Sequence, residues 1–232
     1  MKSKSGFTLI EMLIAISILS LLLFTGSYIY STLSIRWDKE LGEFNQHFEQ
    51  SRSLILLQEL LVGVMPFVVR DTAKNEGPTM FFVGKDDSLL AVSRGGLVNT
   101  EFPEIFRLTA VANANNKYDL VYQAASTQDV LLLNTQQVID FEDGFVIMQN
   151  LDKVEFNYFG WPSYQLKNNA VEEDGSEKAS WYTNYSGVDW QLNPEKIELN
   201  ITFGEQIAHL VVSLDINSQR FLEHYLSDVE EQ

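Results

Sequence analysis

Residues 6–36 read GFTLIEMLIAISILSLLLFTGSYIYSTLSIR. From Met12 to Ile35 there are 24 consecutive positions without a charge. An α-helix needs roughly 20 apolar residues to cross the hydrocarbon core of a bilayer, so this run predicts a membrane span. The charges ahead of it are Lys2, Lys4 and the amino terminus, apart from one acid, Glu11. A positive flank stays on the cytoplasmic side, which puts the rest of the chain in the opposite compartment. Glu11 is the residue that does not fit a plain anchor. A carboxylate within a membrane helix costs about 2.5–3.5 kcal/mol even on a lenient insertion scale, although a place near the helix end softens this. No basic residue follows before Arg36, so any partner for Glu11 must come from elsewhere.

Three readings of this segment compete. A cleaved secretory signal has an apolar region of about 7–15 residues and ends in small residues such as Ala-x-Ala. The run here is longer and has no clear site of that kind. A plain signal anchor explains the length and the flanking charge but leaves Glu11 without a purpose. The third reading starts from Gly6-Phe7-Thr8-Leu9-Ile10-Glu11. Basic leader, glycine, phenylalanine, an acid five residues after the glycine and a long apolar run together resemble the processing motif of the type IV pilin and pseudopilin class. The resemblance implies that a prepilin peptidase cuts between Gly6 and Phe7 and methylates the new amino group of Phe7. The physics agrees. Gly6 has no side chain, so its backbone can enter a narrow peptidase site. After cleavage Phe7 carries a cation that can pair with the Glu11 carboxylate of its own or a neighbouring subunit. In low dielectric, breaking such a pair leaves a lone buried charge, so Glu11 is expected to be an assembly contact.

Beyond Arg36 the apolar residues narrow to one face. Leu33, Trp37, Leu41, Phe44, Phe48 and Ile55 recur at spacings of three, four or seven, which is helical. The helix is expected to leave the membrane as an amphipathic stem over 36–65 and to stop at Pro66. From Phe7 to Met65 an unbroken helix would run about 88 Å. No proline interrupts it between Met1 and Met65, and Thr25-Gly26-Ser27 is its soft spot. The outer half of the aromatic stripe is expected to pack on the chain's own sheet. Leu33 to Phe44 fits either a core face or an interface.

After Pro66 the texture turns to strands. Thr79–Val83 and Leu89–Val92 flank the turn signature Gly84-Lys85-Asp86-Asp87. Ile105–Val111 and Tyr118–Gln123 flank Asn113-Ala114-Asn115-Asn116 as a second hairpin. Val130–Leu133 and Phe145–Met148 are short apolar runs. Lys153–Phe159 and Ile197–Phe203 alternate cleanly, and Ala208–Leu214 follows across Gly204-Glu205, so the last three elements read as an antiparallel meander. The segment Lys167–Lys178, KNNAVEEDGSEK, reads as a polar connection leading into Trp181, Tyr182, Tyr185 and Trp190. The acidic tail Ser227–Gln232 reads as frayed. The expected fold is α+β: leader 1–6, membrane helix 7–35, amphipathic stem 36–65 and a β-rich globular part over 66–232, with the long amino-terminal helix packed on antiparallel sheet.

Composition narrows the chemistry. A chain of 232 residues with net charge −16 lacks the clustered Lys and Arg that neutralise phosphates, so no nucleic-acid partner is expected. The absence of cysteine excludes disulfides, thiol catalysis and cysteine zinc sites. His47, His209 and His224 form no paired ligand motif, and His209 reads as a hydrogen-bonded strand residue. Glu172, Glu173, Asp174 and Glu177 lack the spacing of a calcium loop and read as a solvated acidic segment, so no metal site is expected. Arg94-Gly95-Gly96 reads as a turn. No nucleophile elbow or phosphate-cradling loop occurs, so neither a cofactor nor enzyme activity is expected.

The order of segments beyond the motif resembles the minor pseudopilin J family of type II secretion systems. It runs through Leu60-Leu61 and Pro66, Met80–Phe82, Leu89–Val92, Arg94-Gly95-Gly96, Leu120-Val121-Tyr122, Val154–Gly160, Trp190 and Pro194–Leu199. That resemblance implies a non-enzymatic subunit in the bacterial inner membrane, with its carboxy-terminal part in the periplasm. It also implies partners: prepilin peptidase, other minor pseudopilins and the major pseudopilin of a short pseudopilus that exports folded proteins. A minor pilin of a type IV or mannose-sensitive-haemagglutinin-type pilus is the alternative, since the processing motif is common to both.

Overall fold

A computed structural model describes residues 8–72, 77–97, 101–141, 144–172 and 178–230. The chain divides into two units, residues 1–52 and 53–232. Helix α1 runs Leu9–Val62. There follow β1 (Val68–Arg70), β2 (Pro78–Met80), β3 (Val83–Gly84), β4 (Ser88–Ser93), β5 (Glu104–Ala112), β6 (Tyr118–Ser126), β7 (Phe145–Leu151) and β8 (Lys153–Gly160). Then come α2 (Tyr164–Glu172), β9 (Ser180–Tyr182), β10 (Tyr185–Ser186), α3 (Gly187–Trp190), β11 (Lys196–Phe203), β12 (Gln206–Ser213) and α4 (Gln219–Glu230). The class is α+β, a long apolar helix followed by antiparallel sheet.

In the second unit β1 and β2 pair alone. A six-stranded sheet runs β10-β3-β4-β5-β6-β7 and a four-stranded sheet runs β12-β11-β8-β9. The expected meander is present as β8, β11 and β12, with Ile201 opposite both Val154 and Ala208. Inward side chains of both sheets meet the end of α1 in one core: Leu57, Leu60, Leu61 and Val64 with Phe106, Leu120, Tyr122, Phe156, Tyr158, Ile197 and Leu199. A second cluster, Val69, Phe81, Val92, Ile105 and Leu132, covers the other side of β4 and β5. Burial on both faces explains why Ile105 and Phe106 can be adjacent and both apolar.

Helix α1 ends at Val62, three residues before the expected stop at Met65. Proline is not the cause. Gly63 lies so close to β4 that a Cβ there would sit 2.4 Å from Ser93 Oγ. Ser93 Oγ donates to Leu60 O at 3.2 Å, Val64 bridges Ser93, and Met65 N donates to Val92 O at 3.0 Å. The chain has joined the sheet before it reaches Pro66. The stem's buried face also differs from expectation. Within the second unit Ile55 is exposed, while Leu57, Leu60, Leu61 and Val64 at i, i+3, i+4 and i+7 enter the core. Ile55 precedes Leu57 by two residues, which places it about 200° round the helix.

Three further expectations are corrected. Thr79–Val83 is not one strand. β2 and β3 are separated by Phe81 and Phe82, whose rings go to different clusters. The Lys167–Lys178 connection begins inside α2, where Ser163 caps the helix by accepting from Leu166 N at 3.1 Å. Lys167 is buried there and bonded to Glu195. The tail continues α4 as far as Glu230, a helix that buries Leu222 in its first turn. Charge alone had disguised that periodicity.

Candidate functional site

The residues predicted to be cut and methylated, Gly6 and Phe7, lie outside the described residues. Described structure begins at Thr8, where the geometry around Glu11 is specific. Thr8 precedes the first helical residue, Leu9, and Glu11 stands three positions after it. Thr8 N donates to Glu11 Oε2 at 3.0 Å, Thr8 Oγ1 donates to the same oxygen at 2.9 Å, and Glu11 N donates to Thr8 Oγ1 at 3.4 Å. This is a reciprocal capping box. It satisfies amides that the first turn of a helix leaves orphaned, and in lipid such groups have no water to turn to. A carboxylate at the amino end also faces the positive end of the helix dipole. Sequence reasoning made Glu11 an assembly contact that pairs with the Phe7 amino group of its own or a neighbouring subunit, and passed over Thr8. The signal was present, since Thr8-Leu9-Ile10-Glu11 is the T-x-x-E pattern.

The helix beyond is built for an apolar medium. Leu9–Ser34 is a stretch of 26 residues long and apolar enough to cross a membrane, and none of it is buried within the protein. At 1.5 Å per residue it spans about 39 Å, more than the roughly 30 Å of a hydrocarbon core. Three of its hydroxyls bond to the carbonyl one turn back: Ser17 Oγ to Leu13 O, Thr25 Oγ1 to Leu21 O and Thr32 Oγ1 to Tyr28 O, at 2.7–2.9 Å. These three side chains are thereby satisfied without a partner outside the helix. Tyr28, Tyr30 and Trp37, all exposed, stand toward the carboxyl end of the span, where amphipathic rings favour the membrane–water boundary.

The family model described as the prokaryotic N-terminal methylation motif matches residues 1–26. This is a prepilin-type amino terminus. With the apolar helix behind it, the chain fits the type IV pilin and pseudopilin class, a membrane-anchored protein with a carboxy-terminal soluble domain. The prepilin motif implies processing by a prepilin peptidase and assembly with other pilins. No curated protein matches the chain.

The remaining candidates do not converge. His209 in β12 is exposed and bonds Glu198 Oε1 through Nε2 at 2.7 Å. His224 lies in α4 beside Tyr225, and the side chain of His47 lies outside those described. Glu173, Asp174 and Glu177 fall outside the described residues, as does the side chain of Glu172. Among the described residues no three His, Asp or Glu side chains group closely enough to hold a metal ion. A cleft of about 280 Å³ opens between the end of α1 and the Gly95-Gly96 turn, lined mainly by leucine and glycine, with Glu59 its one titratable residue. Beneath that turn, Tyr122 donates to the buried Glu104 carboxylate at 2.7 Å, and Gly96 is needed because a Cβ there would overlap Glu104 Oε2. Burial, and then the bond to Glu104, raise the Tyr122 phenol far above its usual range. This cluster holds the turn to the sheet. The aromatic residues at 181–190 divide: Tyr185 is buried, its ring 4.4 Å from Trp190, while Trp181 is exposed against Phe159.

Proposed function

We propose that the chain is a non-enzymatic assembly subunit, a minor pseudopilin of a type II secretion pseudopilus, most similar to pseudopilin J. Prepilin peptidase removes residues 1–6 by cutting between Gly6 and Phe7, and Phe7 is N-methylated. Residues 7–35 anchor the product in the bacterial inner membrane, 36–65 form the stem, and 66–232 fold in the periplasm. There the subunit joins other minor pseudopilins and the major pseudopilin in a tip complex that starts assembly and supports export of folded proteins. The observation that carries this reading is the prepilin motif at residues 1–26 running into a helix without proline, α1, and then into a large β-rich part. Exposed Trp37, Phe44, Phe48, Ile55 and Val62 along α1 favour a subunit that other helices cover.

Deletion of the gene tests the reading, with secreted proteins and surface pili scored in parallel. Periplasmic retention of secreted proteins with pili intact is the expected outcome. Loss of pili with normal secretion would instead make the protein a minor pilin of a type IV or mannose-sensitive-haemagglutinin-type pilus. Mass spectrometry of the purified chain checks the processing step, and an intact, unmethylated Met1 terminus would contradict both readings.

A further inference from the structure

We propose that β12 is a self-pairing edge, through which two copies of this chain join by antiparallel β12–β12 pairing centred on His209. The four-stranded sheet ends at β12, which has β11 on one side and, among the described residues, no strand on the other. Its eight residues, QIAHLVVS, include no Lys, Arg, Asp, Glu or Pro, in a chain whose net charge is −16. Proteins commonly protect such an edge with charge, proline, a bulge or a covering element. Here Ile207 is 73% exposed and Val211 47%, and no described residue outside β11 bonds to the backbone from Gln206 to Ser213.

The direction of the free backbone groups follows from the hairpin. Phe203 and Gln206 face each other across the two-residue turn Gly204-Glu205, and Gly204 has φ +60°. The flanking pair of a two-residue hairpin exchanges both backbone bonds, and the bonding direction then alternates. Ile207, His209, Val211 and Ser213 therefore turn their amides and carbonyls away from β11. That is a row of donors and acceptors matching the edge of another strand.

The sequence of the edge is what selects a second copy as its occupant. With a two-fold axis at His209, Ile207 stands opposite the partner's Val211 and Val211 opposite the partner's Ile207. On the inner face Ala208 stands opposite the partner's Leu210, small against large. Both faces are then complementary, and like-charged acids are nowhere opposed. The Glu198 carboxylate beside the seam already accepts from His209, Asn157 at 2.8 Å and Asn200 at 3.2 Å, so its acceptor sites are taken up within its own sheet. Aliphatic cross-strand pairs each add about 0.2–1 kcal/mol. One strand pair is a small contact beside the about 1,200–2,000 Å² of a standard interface. The pairing is therefore weak in dilute solution and effective where two copies share one membrane.

The chain has no cysteine, so an introduced thiol is the only one it carries. The full-length protein is used in native membranes under mild oxidation. In the proposed register residue 209 faces itself at a Cα separation of about 5.5 Å, within disulfide range. His209→Cys is expected to give a disulfide-linked dimer. Ile207→Cys on one tagged copy should link to Val211→Cys on a differently tagged copy, but not to Ile207→Cys. Adding Val211→Lys to His209→Cys should abolish the link while leaving the melting temperature unchanged. Val138→Cys, on a residue 92% exposed elsewhere, should give none. No dimer at position 209, or equal dimer at position 138, overturns the proposal. Linkage only to a different polypeptide also overturns it and would assign the edge to a foreign strand.

Discussion

The ring of Tyr158 lies directly on the backbone of Gly84, so close that a Cβ at position 84 would sit 2.3 Å from Tyr158 Cζ. This contact closes the four-stranded sheet onto the six-stranded one, β8 against β3. The ring has little room to retreat. Its hydroxyl donates to Lys85 O at 2.9 Å and Ser88 O at 3.2 Å, and Phe82 meets it edge-on at 5.7 Å. Burial also raises its phenol well above the usual value. Gly84→Ala is expected to destabilise the β-rich part by about 1–3 kcal/mol, the usual cost of overpacking. For a domain of this size each kcal/mol lowers the melting temperature by about 2–4 °C. Tyr158→Phe should act in the same direction by about 1 kcal/mol, because it removes only the donated bonds. An unchanged melting temperature in Gly84→Ala would show that the ring yields freely.

Lys167 offers a second test. Its ammonium reaches Glu195 Oε1 at 3.0 Å and also donates to the carbonyl of Ile216, with both charged side chains largely covered. The bonds tie α2 to the lead into β11 and to the turn before α4. Lys167→Met keeps the aliphatic stem but leaves the Glu195 carboxylate without its cation. The expected loss is about 1–3 kcal/mol, read as a fall in the denaturation midpoint. Combining it with Glu195→Gln should restore part of that loss, since the two sites share one interaction. A fully additive double variant would show that the pair contributes no coupling.

Legibility in the sequence followed the physics of each segment. The membrane run, the hairpin at 113–116 and the strands at 153–159 and 197–203 were readable because one-sided burial writes period two and lipid exposure writes a continuous apolar run. The break at Gly63 was not readable, because it depends on Ser93, thirty residues further on. The stem's core face was misread because aromatic residues at Phe44 and Phe48 drew attention from the leucine row that is buried. Helices α2 and α4 were hidden by polar composition, since among the described side chains each buries one, Lys167 in α2 and Leu222 in α4. At the amino terminus Glu11 was found and Thr8 was not. The acid is conspicuous in a membrane segment, whereas the threonine matters only through its hydrogen bonds.

The Thr8–Glu11 box separates two roles of the acid. Thr8→Ala removes the Oγ1 atom that bonds both the Glu11 carboxylate and the Glu11 amide. Loss of such a cap costs about 0.5–2 kcal/mol of helix stability, so the amides of the first turn should exchange faster in micelles. Cleavage after Gly6 should persist, because the glycine and the leader are untouched. Glu11→Ala is expected to be processed as well but to join its complex poorly, measured by co-purification of other subunits. Normal assembly of Glu11→Ala would confine Glu11 to capping. Equal assembly defects in both variants would show that the cap itself is what assembly requires.

The outward face of the four-stranded sheet predicts a response to acid. Partial burial pushes the Glu198 carboxyl up, but bonds from His209, Asn157 and Asn200 outweigh it and hold the carboxyl below its ordinary 4.5. A carboxyl depressed in the folded state binds protons more tightly when unfolded, so its contribution is present above about 4.5 and is lost as pH falls through the folded value. Asp152, held down by Gly204 N and Lys117, adds to the same acid limb. Comparison with Glu198→Gln isolates the first group. The melting temperature of the native chain should exceed that of the variant at pH 7, and the gap should close as pH falls below about 4.5. Salt should narrow the gap only slightly, because these bonds are short and partly shielded from solvent. A gap that stays constant from pH 7 to about pH 3 would mean that Glu198 acts through packing, with its charge irrelevant to stability.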